Sequence, residues 1–277
     1  MALFFVFALA AVIVAALVIT PLRRLKQRRA LAGRPFPRRW RQLLRRRWWL
    51  YLTLPPDVRR RLQRQLQVMM AETRIYGCNG LTPTEEMKLL ILAQAGLLYH
   101  NISRDRLADF PNVLLYPQAF VREEEAADEL GLVSRRRHVL LGESWETGKV
   151  ILSWSDIEQD LTQLDGHNLV MHEYAHQIDG QDGVMNGAPL LPSDHLYQSW
   201  STSMEVAYRD LCVRAESGKA PLDPYAGTNP AEFFAVVTET FFTQPERLHR
   251  EYPDVYRLLT QFYRQEPLDW QLPGGGA

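Results

Sequence analysis

Cysteine is scarce in this sequence: Cys78 and Cys212 are the two in 277 residues. That excludes a disulfide-stapled mini-protein, and two unpaired thiols suit a reducing compartment. Internal repeats and low-complexity tracts are missing before a short PGGGA end, which excludes a solenoid. Two further absences are local. Residues 1–20 hold no charged side chain, and residues 21–50 hold no acidic one while carrying twelve arginines and lysines. The whole chain balances 32 basic against 32 acidic side chains, so from residue 51 onward the acidic ones exceed the basic by twelve. A formal net charge of zero therefore conceals an uncharged run, a basic collar and an acidic remainder. Apolar and aromatic residues are plentiful, at 46% and 10%. They suffice to offset the ordering entropy of one sizeable core and exclude a disordered chain.

The uncharged run, ALFFVFALAAVIVAALVIT at 2–20, is interrupted by nothing more polar than its final threonine. As a helix rising 1.5 Å per residue it would be about 28 Å long, close to the hydrocarbon thickness of a bilayer. A core helix of that length would show a polar face, and a signal peptide would carry positive charge ahead of its apolar stretch. The expectation is one transmembrane anchor over residues 1–21. The basic segment, residues 22–50, follows it directly, and basic residues beside a span stay on the cytoplasmic side. The body of the chain is thus expected at the inner (cytoplasmic) membrane, single-pass and facing the cytoplasm. Anionic lipid headgroups are the expected partner of residues 22–50. Trp40, Trp48 and Trp49 among the arginines also suit nucleic acid, the weaker reading beside an apolar span.

Residues 51–270 read as one domain, with 271–277 a disordered tail. Spaced apolar positions predict a helix over 57–73. Thr82 as cap, Pro83 and Glu85 predict a second over about 83–99, apolar nearly all round from 87 and hence central and buried. Short apolar runs at 113–116, 138–141 and 149–154 predict strands, the last two forming a hairpin around a GESWETG loop. Helices are expected over 156–164, from about 168, and over 200–216, 231–243 and 254–263. Helices with a few strands before them indicate an α+β class, mostly helical with a small sheet.

HEYAH at 172–176 is an HExxH pattern. On a helix, His172 and His176 lie one above the other and can reach one ion, while Glu173 can meet water bound to it. A catalytic zinc needs a third protein ligand, and His195, Asp179, Asp182 and later acidic residues are all available. The segment YAGTNPAEFFAVVTE at 225–239 stands out. Asn229 can cap a helix with Pro230 at its first position, which places Glu232 either back on the Asn229 amide in a capping box or out toward a metal. Glu239 falls nearly two turns later on the same face. Two carboxylates on a helix rich in phenylalanine and valine are costly to bury without partners.

Five stretches carry a family resemblance: YGCNGLTPTEEMKLLILAQAGLL (76–98), GKVILSW (148–154), DGHNLVMHEYAHQID (165–179), NGAP (186–189) and PYAGTNPAEFFAVVTETFF (224–242). Together they resemble the Mlc titration factor A family of zinc-dependent peptidases over roughly residues 48–270. Residues 225–235 are also similar to the catalytic domain of anthrax lethal factor. The resemblance implies a zincin-like metallopeptidase domain holding one catalytic zinc. It implies His172, His176 and Glu232 as the ligands, Glu173 as general base, Tyr225 as transition-state stabiliser and Glu239 as support behind a ligand. It further implies aminopeptidase-like cleavage of peptide or protein substrates, and a transcriptional regulator as a possible partner. Residues 1–47 are an addition to the soluble form of the family. A chain of this kind reads as a membrane-anchored zinc metallopeptidase, or alternatively as a membrane-tethered protein that captures a regulator and whose hydrolysis is incidental. The residues of 149–154 are also expected to offer a strand edge to an extended peptide, a role that strands without function share.

Overall fold

The computed structural model describes Phe7 and residues 19–101, 110–127, 133–140, 142–145, 148–162, 165–191 and 193–270. Backbone over residues 19–32 is helical (α1), followed by α2 (Arg38–Arg47), α3 (Leu50–Thr53) and α4 (Pro56–Glu72). Proline opens α4 at a position whose missing N–H costs nothing, and Val58, Leu62, Leu66 and Met69 form its buried stripe. After β1 (Ile75–Gly77) comes α5 (Glu85–Leu98), buried without interruption from Leu89 to Leu98, as its all-round apolar sequence predicts. Its cap, however, is Thr84 rather than Thr82: the Thr84 hydroxyl accepts from the Met87 amide at 3.2 Å. Thr82 precedes a proline, which favours extended backbone there, and starting at Thr84 places Glu85 and Glu86 on the positive end of the helix.

The remaining strands are β2 (Asn112–Tyr116), β3 (Phe120–Ala127), β4 (Val133–Leu140), β5 (Gly142–Trp145) and β6 (Lys149–Ser153). One sheet has the order β1-β2-β6-β5, with β1, β2 and β6 parallel and β5 antiparallel to β6. Two sequence expectations fail here. The hairpin partner of β6 is β5, formed from residues assigned to the loop, whereas β4 pairs with β3 in a separate two-stranded sheet. And β6 is no edge: it is bonded on both sides, with Val150, Ile151, Leu152 and Ser153 all buried. Among the described strands the free edges of this sheet belong to β1 and β5.

Helices complete the chain: α6 (Trp154–Asp160), α7 (Leu169–Asp179), α8 (Asp194–Glu216), α9 (Pro230–Thr243), α10 (Pro245–Glu251) and α11 (Pro253–Tyr263). Mostly helical with a small sheet, the fold is of the expected α+β kind. The core packs α5 on α7 and α7 on α9, with the aromatic stack of Trp200, Phe234, Phe241, Phe242, Phe262 and Tyr263 behind α9.

The boundary expected at residue 51 does not separate two packing units. Phe36, Leu44, Trp48 and Leu50 belong to the core, and α2 lies on α5. Within α2, Leu44 is buried and Trp40 and Leu43 pack partly buried against the core, so one side of an arginine-rich helix faces inward. Among the described residues no helix is long and apolar enough to cross a membrane. The anchor expected over 1–21 lies, apart from Phe7 and residues 19–21, outside the described residues, as does the tail at 271–277.

Candidate metal centre

The first turn of α7 carries His172, and the amides of Asn168, Leu169 and Met171 at its start each have a side-chain acceptor. Asn168 caps it by accepting from the Met171 amide at 2.9 Å, and Asp160 Oδ2 accepts from the Leu169 amide at 2.7 Å. Glu239 Oε2 takes the Asn168 amide at 2.6 Å, and the Asn168 side chain donates to Gln94 Oε1 of α5 at 2.6 Å. These partners satisfy donors that a helix leaves open and fasten α7 to α5, α6 and α9. At the other end Asp179, wholly buried, accepts the Gly187 amide at 2.8 Å, and Trp200 Nε1 donates to the Gly187 carbonyl at 2.9 Å. Gly187 has φ +78°, and a Cβ there would stand 2.4 Å from the Pro230 carbonyl oxygen. Only glycine allows this loop to seat against the start of α9.

On α9, Asn229 caps as expected, accepting from the Glu232 amide at 3.0 Å. The Glu232 carboxylate does not return to the Asn229 amide. Its Oε2 lies 3.0 Å from His172 Nε2 and 3.3 Å from His176 Nε2, and the two imidazole nitrogens are 3.2 Å apart. His172, His176 and Glu232 are the one group of metal-ligating side chains found together among the described residues. Asp179, Asp182 and His195 stand outside it.

The donor set fits a divalent cation. Four ligands placed tetrahedrally at about 2.0–2.1 Å from zinc are about 3.3 Å from one another, close to the three separations here. His172 Nδ1 is 2.6 Å from Glu239 Oε1. A hydrogen bond to that carboxylate puts the ring proton on Nδ1 and leaves the Nε2 lone pair facing His176 and Glu232. Lone pairs and a carboxylate crowded within 4.8 Å repel one another unless a cation lies between them.

Glu173 is 3% exposed, yet its carboxylate lines a cleft of about 410 Å³ beside this group. Tyr225 stands at the mouth, 53% exposed, with its ring centroid 6.1 Å from that of His172. Burial pushes its phenol up to about 12, with Glu232 and Glu173 adding to the effect, so Tyr225 keeps its proton at neutral pH. Asp156, Asp160, Asp165 and Asp223 line the cleft as well, together with His167, and give this wall an excess of carboxyl groups. Burial raises Asp160 to about 7 against the opposing hydrogen bond from Leu169.

One pair in this wall was missed from sequence. His167 Nε2 lies 2.7 Å from Asp223 Oδ2, and the other oxygen of Asp223 accepts the Tyr225 amide at 2.8 Å. The short 3-10 turn that carries Tyr225 is thereby latched to the entry of α7. The hydrogen bond to Asp223 holds His167 up at about 9, with Glu239 contributing, and Asp223 is lowered in return. The two residues are 56 apart in the chain. The visible signal was local: a histidine inside DGHN, within the 165–179 stretch, and an aspartate immediately ahead of the 224–242 stretch.

Comparison with known sequences decides the family. The model of the glucose-regulated metallo-peptidase M90 family matches residues 22–264. The chain belongs to that family. Similar proteins include the uncharacterized protein slr2042 of Synechocystis sp., 37% identical over 241 residues, which are 86% of this chain and 88% of the relative. Mlc titration factor A of Pectobacterium atrosepticum is 36% identical over 210 residues, 73% of this chain and 78% of the relative. Mlc titration factor A of Klebsiella pneumoniae is 34% identical over 221 residues, 78% and 82% of the two chains. The M90 match begins at residue 22, so the basic segment that the sequence reading set apart from the peptidase lies within the family's span, in agreement with its packing on α5.

Proposed function

We propose that this chain is a zinc-dependent peptidase, anchored by its first residues in the cytoplasmic membrane, that hydrolyses peptide bonds with an aminopeptidase-like preference. The observation that carries the reading is the convergence of His172, His176 and Glu232 from α7 and α9 beside the buried Glu173. His172, His176 and Glu232 would hold the zinc, which supplies Lewis acidity toward a water and the scissile carbonyl. Glu239 fixes the His172 ring through the 2.6 Å bond to Nδ1 and makes Nε2 the better ligand. Glu173 takes the proton of the attacking water and delivers it to the departing amine. Tyr225, protonated at neutral pH, donates a hydrogen bond to the developing oxyanion, a contribution of about 3 kcal/mol.

The acidic wall supports the aminopeptidase-like preference, because a free α-amino group is a cation that such a wall attracts. The free edge of β5, not β6, is the strand that supports an extended peptide. The anchor rests on the uncharged run at 2–20 and the arginines after it, which also set the cytoplasmic orientation.

Glu173→Gln tests the mechanism and its main rival together. The variant should bind zinc as the parent does and lose hydrolysis of a peptide library by at least about 10²-fold. Cleavage at the parental rate would sink the mechanism. Were the chain a regulator-capturing protein with incidental hydrolysis, capture of that regulator would survive the substitution and hydrolysis would not matter to it.

A further inference from the structure

The six arginines of α2, taken with Arg28 of α1, divide into two sets. Arg28 grips Glu72 through two nitrogens, Arg39 reaches Glu85 at 2.7 Å, and Arg47 reaches Glu86 at 2.7 Å and Glu158 at 3.4 Å. These bonds tie α1 and α2 to α4, α5 and α6. Arg38, Arg41, Arg45 and Arg46 are different: all four are exposed, and none forms an ion pair with a described residue. Helical geometry produces the division. At 3.6 residues per turn the four arginines and Gln42 share the outer side of α2, while Trp40, Leu44, Arg47 and Trp48 turn inward. No acidic residue between 21 and 50 interrupts the outer face.

We propose that this outer face of α2 lies directly on an anionic bilayer, with Arg38, Arg41, Arg45 and Arg46 among the lipid phosphates. The domain is then held in one orientation instead of swinging on a tether. The inference builds on the membrane-anchored reading but adds a surface, a contact and an orientation to it. Guanidinium groups match phosphate oxygens in geometry as well as charge. The same arginines would suit a nucleic acid backbone, but single-stranded binding also uses exposed aromatic rings as stacking platforms. Those are packed on the core instead: Trp48 is 2% exposed, and Trp40 and Trp49 are partly buried against the core, the Trp40 indole donating to Glu85 at 2.9 Å. A flat array of cations without aromatics fits a lipid surface.

Full-length chain, with Cys78 and Cys212 replaced by serine, would be labelled with a fluorophore at Gln42→Cys or, as a control, at the exposed Val206→Cys of α8. It would be placed in nanodiscs of phosphatidylcholine alone or with phosphatidylglycerol, carrying a headgroup quencher. Quenching is expected at position 42 and not at 206, in the anionic discs, and should be lost at high salt. Changing all four arginines to glutamine should weaken docking by roughly several-hundred-fold, about fivefold per residue, while Arg60→Gln and Arg64→Gln on α4 leave it unchanged. Equal quenching at both positions, or none at 42 in a chain that resists alkaline extraction, would overturn the proposal and leave the anchor standing. Quenching at 42 in a chain that alkali does extract would uphold the docking face and remove the anchor. Displacement of the chain's outer face from anionic discs by stoichiometric single-stranded RNA would assign it to nucleic acid instead.

Discussion

Replacing His167 by glutamine takes a cation from between Asp223 and Glu239, and the structure says what that should cost. The rise of this imidazole from 6.5 to about 9 would correspond to about 3 kcal/mol in a sealed interior. The pair is not sealed: the His167 side chain is 56% exposed and that of Asp223 34%. Solvent screening brings the expected contribution to about 1 kcal/mol. Its pH dependence has a definite sign. A histidine whose folded value is raised binds its proton more tightly in the native state, so the stabilisation is complete below pH 6.5 and drains away as pH rises through 9. Urea denaturation of metal-loaded parent and His167→Gln, compared from pH 6 to pH 10, should show a gap of about 1 kcal/mol at the acid end closing toward zero at the alkaline end. A gap independent of pH would mean that the 2.7 Å contact with Asp223 acts as an ordinary hydrogen bond. The electrostatic account of the latch would then be wrong.

Two other substitutions test separate layers of the architecture. Glu239→Gln keeps the shape of the side chain but weakens its hold on His172 Nδ1, and metal affinity should fall by about 10–100-fold, measured by competition with a chromophoric chelator. Leu44→Ala removes a wholly buried side chain from α2 and should cost about 2–4 kcal/mol of global stability by urea denaturation. A loss below about 0.5 kcal/mol would show that α2 is an appendage and not part of the folding unit.

The long apolar and capped helices were legible in the sequence because each carries its own instructions. The unbroken apolar stretch of α5 and the Asn168 and Asn229 caps of α7 and α9 are all local signals. What escaped was decided by neighbours. Gly142–Trp145 has no strand pattern of its own and becomes β5 because β6 presents a bonding edge to it. Residues 120–127 and 133–140 pair as β3 and β4 although both stretches are rich in charged residues, whereas the sequence reading relied on short apolar runs. In α2 the arginines outnumber and mask the apolar positions that bury it. For Glu232 local sequence offered two destinations, a capping box or the histidines, and only the approach of α7 to α9 places its carboxylate beside His172 and His176. The His167–Asp223 latch likewise exists only once α7 and the Tyr225 turn are packed together.

Helix α5 reaches both ends of the molecule's working parts. Glu85 and Glu86 at its start grip Arg39 and Arg47 of α2, and Gln94 holds the Asn168 cap of the metal-binding helix. Nine residues separate Glu85 from Gln94, about 14 Å of rigid helix, with no loop between to absorb movement. A protein built this way carries a ruler. Wherever α2 comes to rest, the cleft stands at a set height and tilt above that surface. Under the proposed peptidase activity and bilayer contact, the reachable peptide bonds would depend on how far a substrate's chain extends from that plane, as well as on the residues flanking the bond.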